Sequence, residues 1–172
     1  MDRYKQTRIA GILGIAGNIF LLIIKGIIGL LTNSQAMIAD SANSAADIFA
    51  SLMTYIGNKI ASEPKDDTHN MGHGKAEYIF SMFISISMMA IALKLLYDSI
   101  MSLINSDTFE FSWFLVIVCI VTIIVKLVLF LYTNKLSKNF ENLLLEANKK
   151  DHRNDCIITT FTLISVLLSL ID

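Results

Sequence analysis

Residues 35–55 read QAMIADSANSAADIFASLMTY, an apolar segment rich in small residues that carries Asp40, Asn43 and Asp47 and no lysine or arginine. Offsets of three and four residues stack these three side chains on one face of a helix. In a water-soluble protein this would be an ordinary polar stripe. The sequence on either side gives it a different meaning.

The chain has 172 residues, 54% of them hydrophobic, and a single proline; its mean hydropathy is +0.59. Its apolar runs are too long for the core of a soluble domain of this size. The expected fold class is all-α, a polytopic transmembrane helix bundle forming one domain over residues 1–172. Inside such a bundle a carboxylate is expensive, and each one marks a candidate functional site. A net charge of −1, with fourteen basic residues spread through loops and span ends, gives no reason to expect a nucleic-acid partner. Cys119 and Cys156 lie far apart in apolar surroundings, which argues against both a disulfide framework and a thiolate metal site.

Five spans are expected, at about 9–31, 35–60, 78–104, 111–132 and 145–171. The first is long enough to cross about 30 Å of hydrocarbon, and its one charge, Lys25, lies toward the far end, where it can snorkel. The basic start MDRYKQTR precedes an apolar run without a small-residue cleavage site, so the expectation is a retained span rather than a cleaved signal. Residues 32–34 form a tight polar turn, 62–75 (SEPKDDTHNMGHGK) a loop, 105–110 a short acidic turn, and 133–150 an amphipathic basic segment. The last apolar run, 156–171, spans only if its helix begins well upstream, which puts Asp151 and Asp155 in the early turns of that helix.

Lysine and arginine set the orientation. Arg3, Lys5 and Arg8 precede the first span, Lys59, Lys65 and Lys75 flank the second connection, and Lys135, Lys138, Lys149 and Lys150 occupy the fourth; residues 32–34 and 105–110 contain none. The positive-inside rule places the N-terminus and the histidine-bearing loop in the cytoplasm.

A second constellation, DHRND at 151–155, sets Asp151 and Asp155 four residues apart on one helix face. Asn43, Asp47, Asp151 and Asp155 can then converge between the second and fifth helices as an all-oxygen pocket. Three carboxylates so close stay ionised only if a cation neutralises them; otherwise protons do, so such a site exchanges a divalent cation for protons. Carboxylate and amide oxygens are hard ligands suited to Mn²⁺ or Mg²⁺. The plainer reading is that Asn43 hydrogen-bonds a neighbouring helix and that Asp151 belongs to the interfacial charged run KKDHRND. Asp40, one turn before Asn43, fits a supporting or pore-lining position.

The loop offers a possible second site, since Asp66, His69 and His73 are spaced so that one helical turn would gather them for Zn²⁺ or Mn²⁺. Alternatively Asp66 caps the lead-in to the third helix and the histidines are solvated. Gly72 and Gly74 permit a sharp turn into that helix. Lys94 and Asp98 read as an i,i+4 ion pair, the eight methionines as adaptable packing, and Trp113 and Tyr132 as interfacial anchors. Lys126, in the fourth span, either snorkels or pairs with an acidic neighbour.

IADSANSAAD in the second span, PKDDTHNMGHGKAE in the loop and DHRND in the fifth span together resemble the cation diffusion facilitators, exporters of divalent transition metals in exchange for protons. The resemblance covers nearly the whole chain, in order. It implies a transport site at Asn43, Asp47, Asp151 and Asp155, a metal at the loop positions in some members, no prosthetic group, and a homodimer in the plasma membrane. Zinc exporters of the family usually carry histidine or aspartate at the first of these positions and histidine at the third. Asn43 and Asp151 instead look like the manganese-exporting branch, with a zinc or iron(II) exporter as the alternative. The family also has a sixth helix and a cytoplasmic domain beyond the five spans read here, so a membrane fragment that does not itself transport is a second reading. An enzyme is not expected: an intramembrane aspartyl protease would need a Gly-x-Gly-Asp motif, and none occurs.

Overall fold

The computed structural model describes residues 3–31, 35–65, 72–105 and 112–168. These form five helices and, among the described residues, no strand: α1 Arg3–Leu31, α2 Gln35–Ala61, α3 Ala76–Asn105, α4 Trp113–Asn139 and α5 Leu143–Leu168. By length and composition, α1, α4 and the Ala76–Met101 part of α3 can each cross a membrane. At 27 and 26 residues, α2 and α5 are as long, about 40 Å at 1.5 Å per residue, but more polar. One boundary differs from the sequence expectation: helix α4 continues without a break to Asn139, taking in the start of the basic 133–150 segment. Helix α5 begins at Leu143, close to its expected start, and Asp151 lies two turns inside it.

The distribution of side chains is that of a protein dissolved in hydrocarbon. On α1, Ile23 is 53% exposed whereas Lys25 is 4% and Asn18 is 0%. Phe83 and Met89 on α3, Ile117 and Val128 on α4, and Phe161 on α5 are also exposed. The buried polar positions on α2 are Ser44, Asp47, Ser51, Thr54 and Asn58. An aqueous solvent would drive this arrangement the other way; lipid makes it favourable, because polar groups turned outward to hydrocarbon would find no partners there.

Small residues let those partners meet. The buried positions of α1 include Gly11, Gly14, Asn18, Leu21, Lys25 and Gly29, a stripe at spacings of three and four. A Cβ on Gly11 would lie 3.1 Å from the Tyr55 backbone, on Gly14 2.6 Å from Ser51 Oγ, and on Gly29 3.1 Å from the Ile38 backbone nitrogen. This is an antiparallel register held along the whole α1–α2 pair, with the backbones too close to admit larger side chains. The same register delivers Asn18 Nδ2 to Ser51 Oγ at 3.3 Å and Lys25 Nζ to Asp40 Oδ2 at 3.0 Å. Lys25 therefore does not snorkel: it is turned inward and paired across the helix interface.

The end of the bundle that carries the α2–α3 and α4–α5 connections is tied together by side chains. Arg3 of α1 pairs with Glu77 of α3. Asn142 caps α5, its Oδ1 accepting the Leu144 and Leu145 N–H groups at 2.8 and 3.2 Å, while its Nδ2 donates to Thr7 Oγ1 at 3.3 Å. Asn58 Nδ2 donates to the Tyr4 carbonyl at 2.8 Å. Gly72 adopts φ +78° ahead of α3, the left-handed turn expected there. Trp113 is exposed, as an interfacial anchor should be, whereas Tyr132 packs against Ala10, Leu136 and Leu145.

Gly57 and Gly26 give a test of the packing. A Cβ on Gly57 would lie 2.6 Å from Phe80 Cβ, whereas one on Gly26 meets nothing within 4 Å. Gly57→Ala is expected to lower the thermal unfolding temperature in detergent by the equivalent of about 1–3 kcal/mol. Gly26→Ala should be neutral or stabilising by up to about 1 kcal/mol. Equal effects of the two would show that α2 and α3 are not in this contact.

Candidate metal site

Asp47 projects from α2 and Asp155 from α5, and both meet a residue that the sequence left undecided. Lys126 of α4 places Nζ 2.7 Å from Asp47 Oδ2 and 2.5 Å from Asp155 Oδ2. Its side chain is 1% exposed. Three helices thus converge on one ammonium with a carboxylate oxygen on two sides, the geometry of charge-assisted hydrogen bonds. Lys126 pairs and does not snorkel. With α4 ending at Asn139 rather than near Tyr132, it sits at the middle of the helix, out of reach of either end.

The site opens into a cavity of about 250 Å³ lined by Asn43, Asp47, Lys126 and Asp155, and further out by the Lys25–Asp40 pair. The cavity extends past Thr122 and Thr159 to Lys94 and Asp98, whose side chains are exposed. Lys94 and Asp98 form the expected i,i+4 pair at 3.9 Å. All these residues lie between the Lys126 level and the end of the bundle that carries the α1–α2 and α3–α4 connections. The cavity therefore leads away from the end tied by Arg3, Glu77 and Asn142.

Asp151 is placed differently from the other three. It lies one turn along α5 from Asp155, toward the tied end, 4% exposed, and does not line the cavity. Its Oδ2 has no hydrogen-bond partner and stands 4.0 Å from His152 Nδ1. His152 is fully buried with neither ring nitrogen bonded, and ligand atoms of Asp151, His152 and Asp155 lie within 4.8 Å of one another. Asn148, one turn further, is also fully buried with both side-chain atoms unpartnered. Orphaned polar atoms this deep are costly, and their clustering leaves ligand atoms free for an ion or a hydrogen-bonded guest.

The structure thus brings Asn43, Asp47 and Asp155 to one cavity, sets Asp151 just behind them, and adds Lys126 and His152, which sequence reasoning did not assign. A signal for Lys126 was present: a lone lysine inside IIVKLVLFLY must find a carboxylate if the helix continues past it. His152 was masked by the charged run around it. Of the proposed loop site, Asp66 and His69 lie outside the described residues. His73 is described, with its ring Nδ1 3.2 Å from the Pro64 carbonyl oxygen. Both cysteines are free thiols, as expected.

A helical bundle with a polar interior and carboxylates facing one another across two helices has the ionisable groups that mark a candidate ion site when they lie inside a membrane. The chain belongs to the cation efflux family, the cation diffusion facilitators: residues 11–172 match the cation efflux transmembrane domain. It is 34% identical over 157 residues to an uncharacterized transporter of Methanocaldococcus jannaschii, covering 91% of this chain and 56% of that protein. It is 33% identical over 154 residues to the magnetosome protein MamB of Paramagnetospirillum magneticum, covering 90% and 52%. To the manganese efflux system protein MneP of Bacillus subtilis it is 27% identical over 170 residues, covering 99% and 57%. The chain spans somewhat over half the length of these curated relatives.

If Lys126 and Asp155 are bound as described, their substitutions are coupled. Lys126→Met and Asp155→Asn should each lower thermal stability, and the double variant should lose less than both together, with a coupling of about 1–3 kcal/mol. Simple additivity in a double-mutant cycle would mean that the pair is not formed.

Proposed function

We infer that this chain carries the ion-translocating part of an exporter that moves a divalent transition metal, manganese foremost, out of the cytoplasm in exchange for protons. The observation that carries this is the convergence of Asp47 and Asp155, from α2 and α5, on a single cation at 2.7 and 2.5 Å, in a cavity that Asn43 also lines. The donors nominated for the cargo, Asn43, Asp47, Asp151 and Asp155, are all hard oxygens, which favours Mn²⁺ over softer competitors. The relative named as a manganese efflux protein supports the same metal. His152 is the nitrogen donor in reach of Asp151 and Asp155, and it favours the second reading, export of zinc or iron(II).

The mechanism is alternating access. With the N-terminus in the cytoplasm, as the positive-inside rule reads the chain, the end tied by Arg3, Glu77 and Asn142 is the cytoplasmic one and the cavity faces outward. Metal ions arrive from the cytoplasm between α2 and α5 when those ties part, displace protons from the carboxylates, and leave through the outer cavity as protons return. Asn43 contributes a neutral oxygen and keeps the site's charge low enough for release. The setting is the plasma membrane and the unit a homodimer.

Replacing Asp47 or Asp155 by alanine should abolish Mn²⁺ flux into proteoliposomes under a pH gradient, and flux that persists would sink the assignment. Asn43→His combined with Asp151→His should shift the preference in the same assay toward Zn²⁺; an unchanged Mn²⁺ to Zn²⁺ ratio would place selectivity outside these positions.

A further inference from the structure

We propose that Lys126 is a resident cation of the transport site, which the divalent cargo must displace from Asp47 and Asp155 in order to bind and which takes the cargo's place when it leaves. The proposal rests on the export function inferred above and deepens it. Lys126 Nζ stands 2.7 and 2.5 Å from oxygens of two carboxylates on two different helices. Divalent cations hold oxygens at similar distances, about 2.0–2.6 Å, so the carboxylates are already gathered around a cation-sized centre. A metal ion and the ammonium cannot both occupy it. Their like charges and the volume of the first coordination shell forbid it.

A displaced ammonium needs somewhere to go that is not bare hydrocarbon. Thr122 lies one turn before Lys126 on α4, in the direction that helical side chains lean. It is 2% exposed, lines the same cavity, and its Oγ1 has no hydrogen-bond partner. The lysine can therefore swing along its own helix from the carboxylate pair to the Thr122 hydroxyl without leaving the cavity. In this outward-open arrangement it is engaged with both carboxylates, the position that follows release of cargo. The exchange neutralises part of the emptied site's charge for its return through a low-dielectric interior and leaves the remaining carboxylate charge to the returning protons.

The test uses the chain in lipid nanodiscs, with Mn²⁺ binding followed by loss of the free-ion paramagnetic resonance signal, and the same variants in proteoliposomes. Lys126→Met should bind Mn²⁺ about tenfold more tightly than the unaltered chain, a change of about 1.4 kcal/mol. In transport, its half-saturating Mn²⁺ concentration and its maximal rate should both fall, because cargo is no longer pushed off. Lys126→Arg, which keeps the charge, should stay near the unaltered values. Affinity in Lys126→Met that is unchanged or weaker would overturn the proposal and leave Lys126 a packing partner. Should Lys126→Met fail to fold even with Mn²⁺ present, Thr122→Val decides: removing the parking hydroxyl should weaken Mn²⁺ binding about threefold, and unchanged binding would overturn the proposal. An unaltered chain that binds no Mn²⁺, or binds it regardless of Asp155→Asn, would instead remove the export function itself.

Discussion

The pairing of Lys126 with Asp47 and Asp155 is the interaction on which the rest of this bundle depends. Transferring a carboxylate or an ammonium out of water costs several kcal/mol even after relaxation, and the interior here holds three such groups at one level. None can be there alone. Each carboxylate is tolerable only because the ammonium stands at hydrogen-bond distance, and the ammonium only because the carboxylates reach it from neighbouring helices, so the site fixes the positions of α2, α4 and α5 relative to one another. Charge pairing is thus a folding constraint before it is a functional feature. Removing one member leaves the others with a burden that apolar packing cannot relieve.

The small residues around the site serve the same end. Asp47 sits in ADSANSAAD, and α1 packs against the turns that follow it with Gly11 on Tyr55 and with Gly14 and Asn18 on Ser51. Without a hydrophobic driving force between helices in lipid, close approach supplies the van der Waals contact and the interhelical hydrogen bonds that hold α1 and α2 together. The antiparallel register this packing enforces also fixes where the outer charges fall, so that Lys25 meets Asp40 at 3.0 Å. A slide of one turn would leave both unpaired, which makes the glycines and the ion pair mutually reinforcing specifications of one alignment.

Fold class was legible in the sequence because the signal is collective: five apolar stretches of sufficient length, and basic residues at alternate connections. That Asn43 shares a helix face with Asp47, and Asp151 with Asp155, was legible for the same kind of reason, since i,i+4 spacing follows from helical geometry alone. Legibility failed where a side chain's fate depends on a helix boundary or on a partner distant in sequence. Ending the fourth span near Tyr132 left Lys126 six residues from water, within reach of a snorkelling stem; continuing α4 to Asn139 strands it at mid-helix and compels an ion pair. Lys25 failed likewise, because its partner is on another helix and only the α1–α2 register brings the two together. His152 shows a third limit, in which a buried residue is camouflaged in sequence by exposed charged neighbours such as Lys150 and Arg153.

The described arrangement also divides the prospective ligands into two halves. Asn43, Asp47 and Asp155 line the cavity, whereas Asp151 and His152 lie on the other side of the Lys126 level with ligand atoms unpartnered. A cation bound by both halves at once would need α5 to bring Asp151 and Asp155 to the same centre as Asp47, and would need the lysine to be absent from that centre. Neither condition holds while the ammonium bridges α2 and α5. A site that is complete in every conformation would hold its ion through the whole cycle, whereas one that is assembled in one state and split in another can bind on one side and release on the other. On the proposed export cycle, the buried, unsatisfied atoms of Asp151 and His152 are the cost of keeping a second arrangement accessible, and the helix pair carrying the site alternates between two sets of partners rather than satisfying all of them together.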